Sequence, residues 1–146
     1  MGGNFNMIGK TIDQIQLGDK ASFTKTMSET DVYLFAGISG DLNPAHVNQV
    51  DSEKTMFKGR ICHGMLVSSL ISTVLGMYLP GPGTIYMSQE VRFLSPVRMG
   101  DTVTAEAEVI ERNVEKNRLV LKTTVTNQEG KVVIEGQAKV MPPKAI

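Results

Sequence analysis

Apolar and polar residues alternate along the C-terminal half of the chain, and this pattern predicts an antiparallel sheet. Alternation with a period of two is typical of strands that bury one face. Four strands are predicted in this half: Ile85–Leu94, Thr102–Val109, Arg118–Thr126 and Val132–Val140. A shorter strand is predicted at Ala21–Thr26. The loops between the later strands are short, and Glu129-Gly130 has the composition of a hairpin turn.

A long apolar run from Gly64 to about Leu79 predicts a helix. Its apolar residues cover almost the whole helical circumference, which is typical of a helix buried in a core. An earlier helix is predicted at 29–38, because Ser28-Glu29-Thr30-Asp31 has the form of a capping box. A buried helix needs an apolar surface around it, and a curved antiparallel sheet provides one. We therefore predict an α+β fold in which the sheet wraps a long central helix.

The bulk composition places the chain among ordinary globular proteins and excludes several classes. Its 146 residues predict one domain, 1–146, with an irregular N-terminal segment at 1–14. Fifteen basic residues balance fifteen acidic ones, which gives no support to nucleic-acid binding. The apolar run is shorter than the ~20 residues that span a bilayer, so no membrane association is expected. The single cysteine, Cys62, and the absence of a secretory signal pattern favour a cytoplasmic location.

The strongest indication of chemistry is the segment Asp41-Leu42-Asn43-Pro44-Ala45-His46. A carboxylate and an imidazole stand five residues apart across a turn-forming Asn-Pro, directly after a helix that ends in glycine. An acid and a base in one place suit a reaction that moves a proton between two atoms. Cys62 beside His63 is a possible nucleophile, but a buried packing role is favoured. No metal or redox cofactor is expected, since no His/Cys cluster has ligand spacing.

Residues 35–46 resemble the hydratase motif of the MaoC-like, or (R)-specific enoyl-CoA hydratase, family. The resemblance covers roughly residues 15–141, through four looser segments: 61–66, 79–86, 93–97 and 100–103. It implies the hot-dog fold, in which an antiparallel sheet wraps a long helix. It also implies a homodimer with paired edge strands and an active site near the subunit interface, with further association of dimers left open.

The resemblance implies reversible addition of water to a trans-2-enoyl thioester, carried on coenzyme A or acyl carrier protein. Asp41 would be the base, and His46 would hold the water and relay the proton. The group that protonates C2 stays open. Gly64, at a helix start, would donate its N–H to the enolate oxygen. Ser72 would bond the catalytic Asp41, and Asn43 would fix the loop.

Two other functions remain open at this stage: a hot-dog thioesterase and a non-catalytic acyl-thioester binding module. The first would place its carboxylate differently, and the second would usually lose Asp41 or His46. His63 is predicted to be structural, as a helix cap or a packing residue. Four cations are unranked candidates for binding the phosphates of the carrier: Lys58, Arg60, Arg92 and Arg98.

Overall fold

The computed structural model describes residues 8–145, which share one hydrophobic core. Five strands form a single sheet: β1 (Lys20–Thr26), β2 (Ile85–Phe93), β3 (Thr102–Asn113), β4 (Arg118–Thr126) and β5 (Val132–Met141). All pairs are antiparallel, in the order β1-β3-β4-β5-β2. The predicted strands are confirmed. However, β2 does not pair with β3, which follows it in the chain; it pairs with β5 and forms one edge of the sheet.

The N-terminal segment is more ordered than predicted over the part that the structure describes. Residues 1–7 of the predicted irregular segment lie outside the described residues. Within the remainder, Ile12–Gln14 form one turn of 3₁₀ helix. Ile12 and the following Ile15 are buried in the core. Apolar anchoring of two side chains explains why this short polar stretch adopts a defined turn.

Four helices lie between β1 and β2: α1 (Glu29–Ser39), α2 (Pro44–Val47), α3 (Gln49–Ser52) and α4 (Gly64–Thr73). A π-helical turn, Val74–Tyr78, continues α4. Apolar side chains of α4 and this turn are buried with side chains of β3, β4 and β5 in the core. The predicted central helix and the α+β hot-dog arrangement are thereby confirmed.

One face of the central helix is open, so the prediction of burial on all sides is wrong for that face. Met65 is 60% exposed, and Ser69 and Ser72 on the same side of the helix are also exposed. This face borders the edge strand β2, whose Met87 and Phe93 are also about half exposed. Packing within one chain therefore leaves Met65 and the apolar side chains of β2 on this side uncovered.

The turn that carries the candidate residues is fixed by two helix ends. Gly40 ends α1 in the left-handed conformation (φ 80°), and its N–H donates to the carbonyl of Ala36 at 2.9 Å. Asn43 then begins α2, and its Oδ1 accepts the N–H of Ala45 at 3.1 Å. At the other end of α1, Ser28 and Asp31 form the predicted capping box. These caps leave Asp41 in a short turn between α1 and α2.

Among the described residues, no helix is both long enough and apolar enough to cross a membrane.

Candidate active site

Asp41, His46, His63 and Gly64 line one cavity of about 350 Å³. The first lies in the α1–α2 turn, the second on α2, and the last two at the start of α4. The opposite wall consists of the end of β2 and the loop after it, residues 93–97. The structure therefore brings together the predicted acid–base pair and the predicted oxyanion donor.

The imidazole of His46 has a defined orientation. Its Nδ1 lies 2.8 Å from the main-chain carbonyl oxygen of Ile61, which can only accept a hydrogen bond. Nδ1 must therefore carry the proton, and in the neutral ring Nε2 is left as an acceptor. Ile61 also donates its N–H to the carbonyl of Ala45 at 3.1 Å, so the same residue holds both the ring and its backbone.

The carboxylate of Asp41 is exposed to solvent and held by its own turn. Its Oδ1 accepts the N–H of Asn43 at 3.2 Å, and its main-chain N–H donates to Oγ of Ser39 at 3.1 Å. A side-chain oxygen of Asp41 and ring nitrogens of His46 and His63 lie within 4.8 Å of one another. A water molecule can contact the carboxylate and an imidazole nitrogen over such a separation.

His63 contacts both members of the acid–base pair, which its predicted structural role did not include. Its Nε2–H donates to the main-chain carbonyl of Asp41 at 3.0 Å. Its ring stacks on that of His46, with centroids 3.9 Å apart, and lies against Phe35 with centroids 4.8 Å apart. His63 occupies the cap position of α4 but makes no side-chain capping hydrogen bond. Its Nδ1 is buried without a partner among the described residues.

Gly64 begins α4, where the first N–H groups have no intrahelical acceptor. Because His63 does not cap the helix, these donors remain available at the wall of the cavity. A side chain at this position would collide with the strand opposite: a Cβ on Gly64 would lie 2.6 Å from Cε1 of Phe93. The glycine thus keeps the helix terminus close to β2 and leaves room beside it for a ligand.

Two predicted residues lie outside this cavity. Ser72 is exposed and lines a neighbouring cavity between α4 and β2, to which Met65 also contributes. Its hydroxyl makes no hydrogen bond to Asp41 within the described part of the chain. Asn43 caps α2, as its hydrogen bond to Ala45 shows, and acts on the site only through the loop.

An ionic network fixes the loop that orients His46. The guanidinium of Arg60 pairs with Glu29 at 2.9 Å and donates to the hydroxyl of Tyr33 and the side-chain oxygen of Gln49, both at 3.0 Å. The hydrogen bond from Arg60 lowers the pKa of Glu29, and a bond from Tyr33 adds to the effect. This network connects α1 and α3 to the residue directly before Ile61.

Cys62 is buried beside the cavity, and its N–H donates to the carbonyl of Val97 at 2.7 Å. Burial raises the pKa of its thiol to about 11, and the charge of Asp101 contributes to the rise. The thiol is therefore protonated near neutral pH and is a poor nucleophile. This agrees with the packing role favoured from the sequence.

Asp41, His46 and His63 could also provide three ligands for a metal ion, a grouping that their sequence spacing did not indicate. One nitrogen of each imidazole already donates to a main-chain carbonyl. The two rings stack with centroids 3.9 Å apart and planes 29° apart. That no metal is required stays a prediction.

Comparisons with known proteins support the same chemistry. Residues 13–131 match the family model described as MaoC like domain. The chain is 54% identical over 131 residues to an (R)-specific enoyl-CoA hydratase of Rhodospirillum rubrum, with 90% of each chain covered. It is 40% identical to the (R)-specific enoyl-CoA hydratase of Aeromonas caviae, covering 88% of this chain and 96% of that one. An unliganded R-hydratase from Pseudomonas aeruginosa superimposes with a TM-score of 0.89 at 44% identity, covering 94% of this chain and 88% of that one.

Two contributions to this site were missed from the sequence. The carbonyl of Ile61 selects the His46 tautomer, but a main-chain atom leaves no side-chain signal in a sequence. The second is the contact of His63 with the acid–base pair. The adjacent motif residues Cys62-His63-Gly64 did carry a signal for it, since they place a histidine at the start of the helix that lines the cavity.

Proposed function

The chain belongs to the MaoC-like domain family and is a hydro-lyase of the (R)-specific enoyl-CoA hydratase type, and from this premise we propose that Asp41 and His46 catalyse the reaction. The reaction is reversible addition of water across the C2=C3 bond of a trans-2-enoyl thioester. The observation that carries the assignment of residues is the cavity shared by Asp41, His46 and Gly64.

The orientation of His46 supports a specific arrangement of the water. Because Nδ1 donates to Ile61, Nε2 can accept one hydrogen of a water molecule. The carboxylate of Asp41 accepts the other hydrogen and acts as the base while the water oxygen attacks C3. A carboxylate oxygen of Asp41 and a ring nitrogen of His46 lie within 4.8 Å of each other, a separation that one water can bridge.

The start of α4 supports stabilisation of the developing enolate. When water adds to C3, negative charge accumulates on the thioester oxygen. We assign the N–H of Gly64 as the donor to this oxygen, aided by the positive end of the helix dipole. The missing cap on α4 is consistent with this role, since a side-chain cap would occupy the donors.

We further propose that two chains associate through β2 to form a homodimer. This strand pairs with β5 on one side only, and it exposes Tyr86, Met87 and Phe93. An unpaired strand edge with apolar side chains favours pairing with a second copy. The open face of α4 and the cavity that contains Ser72 adjoin this edge, so the partner would cover them. A cytoplasmic location stays a prediction, and we propose a role in fatty acid metabolism from the enoyl-thioester substrate.

The decisive experiment follows the loss of enoyl-thioester absorbance with crotonyl-CoA and determines the chirality of the product. Wild-type protein is expected to give the (R)-3-hydroxy thioester. Asp41→Asn and His46→Ala are each expected to reduce kcat by about 10²- to 10⁴-fold, the usual range for an acid–base group. Asp51→Asn is the matched control, because it removes an exposed carboxylate on α3 outside the cavity.

Two results would contradict the proposal. Release of free thiol by the wild type, without hydration, would indicate a thioesterase. Binding of crotonyl-CoA by folded wild-type protein without turnover, extended to longer enoyl chains and to acyl carrier protein thioesters, would indicate a binding module.

A further inference from the structure

The structure ranks the four cations that the sequence left equal. Arg60 is engaged by Glu29, and its side chain is only 16% exposed. Arg92 pairs with Glu135 at 2.6 Å. Lys58 and Arg98 are exposed, and no carboxylate among residues 8–145 forms an ion pair with either of them. These two cations are therefore the ones available to an anionic ligand.

Lys58 and Arg98 lie next to residues of the catalytic cavity, although neither of them lines it. Lys58 directly follows Phe57, and Arg98 directly follows Val97; both Phe57 and Val97 line the cavity. Nη2 of Arg98 donates to the carbonyl of Phe57. A Cβ on Gly59 would lie 3.4 Å from Nη1 of the same guanidinium. The guanidinium thus lies close to the chain on both sides of Lys58, so both cations stand beside the rim of the cavity that Phe57 forms.

The carboxylate of Asp101, three residues after Arg98, forms no ion pair with Lys58 or Arg98. Its Oδ2 accepts a hydrogen bond from the main-chain N–H of Arg98 at 2.9 Å. Its Oδ1 accepts a hydrogen bond from Nε2 of Gln128, also at 2.9 Å. The guanidinium, which has five N–H donors, donates a hydrogen bond only to the carbonyl of Phe57 among the described residues. Most of its donors are free to bind an oxyanion.

The backbone at Lys58 is held in a conformation that a long side chain rarely adopts. Its φ is 56°, in the left-handed region. Such a conformation is strained and persists where the surroundings impose it, often at ligand sites. Here the bond from Arg98 to Phe57 fixes the preceding peptide.

We propose that Lys58 and Arg98 form a phosphate-binding site at the mouth of the cavity. The ligand is a phosphate of the thioester carrier, and the nearest candidate is the phosphate of the phosphopantetheine arm, which coenzyme A and acyl carrier protein share. This inference rests on the proposed hydratase function. A guanidinium binds phosphate through paired N–H donors, and an ammonium adds a point charge.

The test compares three thioesters that differ only in the carrier: crotonyl-CoA, crotonyl-phosphopantetheine and crotonyl-pantetheine. Lys58→Asn removes the charge and keeps a residue that tolerates positive φ. Arg98→Gln removes the second charge. Each variant is expected to raise KM for crotonyl-CoA by about five- to tenfold at low salt, with kcat unchanged. No such rise is expected with crotonyl-pantetheine, and added salt should reduce the difference.

The three substrates also identify which phosphate is bound. Equal losses with crotonyl-CoA and crotonyl-phosphopantetheine support the phosphate of the pantetheine arm. A loss with crotonyl-CoA alone supports the same site acting on the adenosine phosphates. A similar loss with crotonyl-pantetheine, or no loss with any substrate, overturns the proposal. Lys122→Asn is the control, since it removes an exposed charge from β4 far from this rim.

A direct measurement of coenzyme A binding distinguishes a wrong phosphate site from a wrong hydratase function. Calorimetric titration with coenzyme A itself requires no turnover. Weaker binding by Lys58→Asn in a protein that hydrates nothing would retain the phosphate site and reject the hydratase. Normal hydration with unaltered coenzyme A binding in both variants would retain the hydratase and reject the site. Thermal melting of Arg98→Gln checks that this variant is still folded. If it is not, the result with Lys58→Asn alone decides the proposal.

Discussion

The imidazole of His63 stacks on that of His46, with their centroids 3.9 Å apart and their planes 29° apart. His63 also donates from Nε2 to the carbonyl of Asp41 at 3.0 Å. One side chain therefore packs against the proposed water-holding residue and fixes the backbone of the proposed base. The acid–base pair is positioned by a third residue from another element, the start of α4.

His63→Phe tests this positioning role. Phenylalanine keeps an aromatic ring against His46 but removes the bond to Asp41, so kcat is expected to fall by about tenfold or more while KM changes less. Loss of one partner of a buried hydrogen bond also costs about 1–3 kcal/mol in the free energy of unfolding. His63→Gln, whose amide can occupy the place of Nε2–H, should recover part of kcat. Equal kcat values for the Phe and Gln variants would contradict the assigned hydrogen bond.

Gly64→Ala is expected to lower kcat/KM by about tenfold or more, because the new methyl group meets the ring of Phe93. Phe93 is 53% exposed, so its ring can be removed at little cost to the core. The double variant Gly64→Ala/Phe93→Ala should therefore recover part of the loss. Steady-state kinetics on both variants and on Phe93→Ala alone measure this coupling. Additive losses would show that the collision does not cause the defect.

Cys62 should resist alkylation in the folded protein. With its pKa raised to about 11 by burial, the thiolate fraction at pH 8 is at least about a hundredfold below that of an ordinary cysteine. Mass spectrometry after iodoacetamide treatment measures the rate, with the urea-unfolded chain as reference. Cys62→Ala should keep kcat within about threefold, as a volume-conserving change in a packed site. A loss of several orders of magnitude would instead indicate a nucleophile.

Acid should release the loop that orients His46. The hydrogen bond from Arg60 lowers the pKa of Glu29 in the folded state, so its contribution to stability is fully present above about pH 4.3, the ordinary glutamate value. That contribution is lost as the pH falls further, through the lowered pKa. Glu29→Gln should be less stable than wild type at neutral pH, with the difference shrinking below that point. Urea unfolding between pH 3 and 7 measures it, and a constant difference would contradict the linkage.

Met87→Lys is expected to separate the proposed dimer. A lysine on the free edge of β2 places a charge where a partner strand would pair. Light scattering after size exclusion should show monomers for this variant. Ile110→Lys, at a similarly exposed position on β3, is the control and should remain dimeric. A monomeric wild type would exclude the dimer at the concentration used.

Alternation along the chain predicted the strands because it is a local property. The predicted first and last residues of β4, Arg118 and Thr126, are those observed. β3 runs to Asn113, beyond the predicted Val109, because a register shift between Val109 and Glu111 interrupts the alternation. Strand order was not predictable in this way, since the pairing of β2 with β5 depends on contacts between distant segments.

The candidate site was predictable where side-chain chemistry is local. Asp41 and His46 share one turn, and Gly64 marks the start of a helix. Ser72 shows where prediction from the sequence ends. The sequence indicates that Ser72 is a polar residue on the central helix, but it does not indicate that Ser72 faces the cavity beside β2. Which cavity a helical residue reaches depends on the packing of the whole element.

The strand order also has a consequence for how the protein assembles. β3, β4 and β5 form a meander of neighbours in sequence, whereas β1 and β2 join its two ends through long-range pairing. Contacts between near neighbours close smaller loops and form at lower entropic cost. The segment from Asp41 to Gly64 connects these two outer strands. Catalytic competence is therefore expected to arise late in folding, and detachment of either outer strand is expected to abolish it while the meander stays intact.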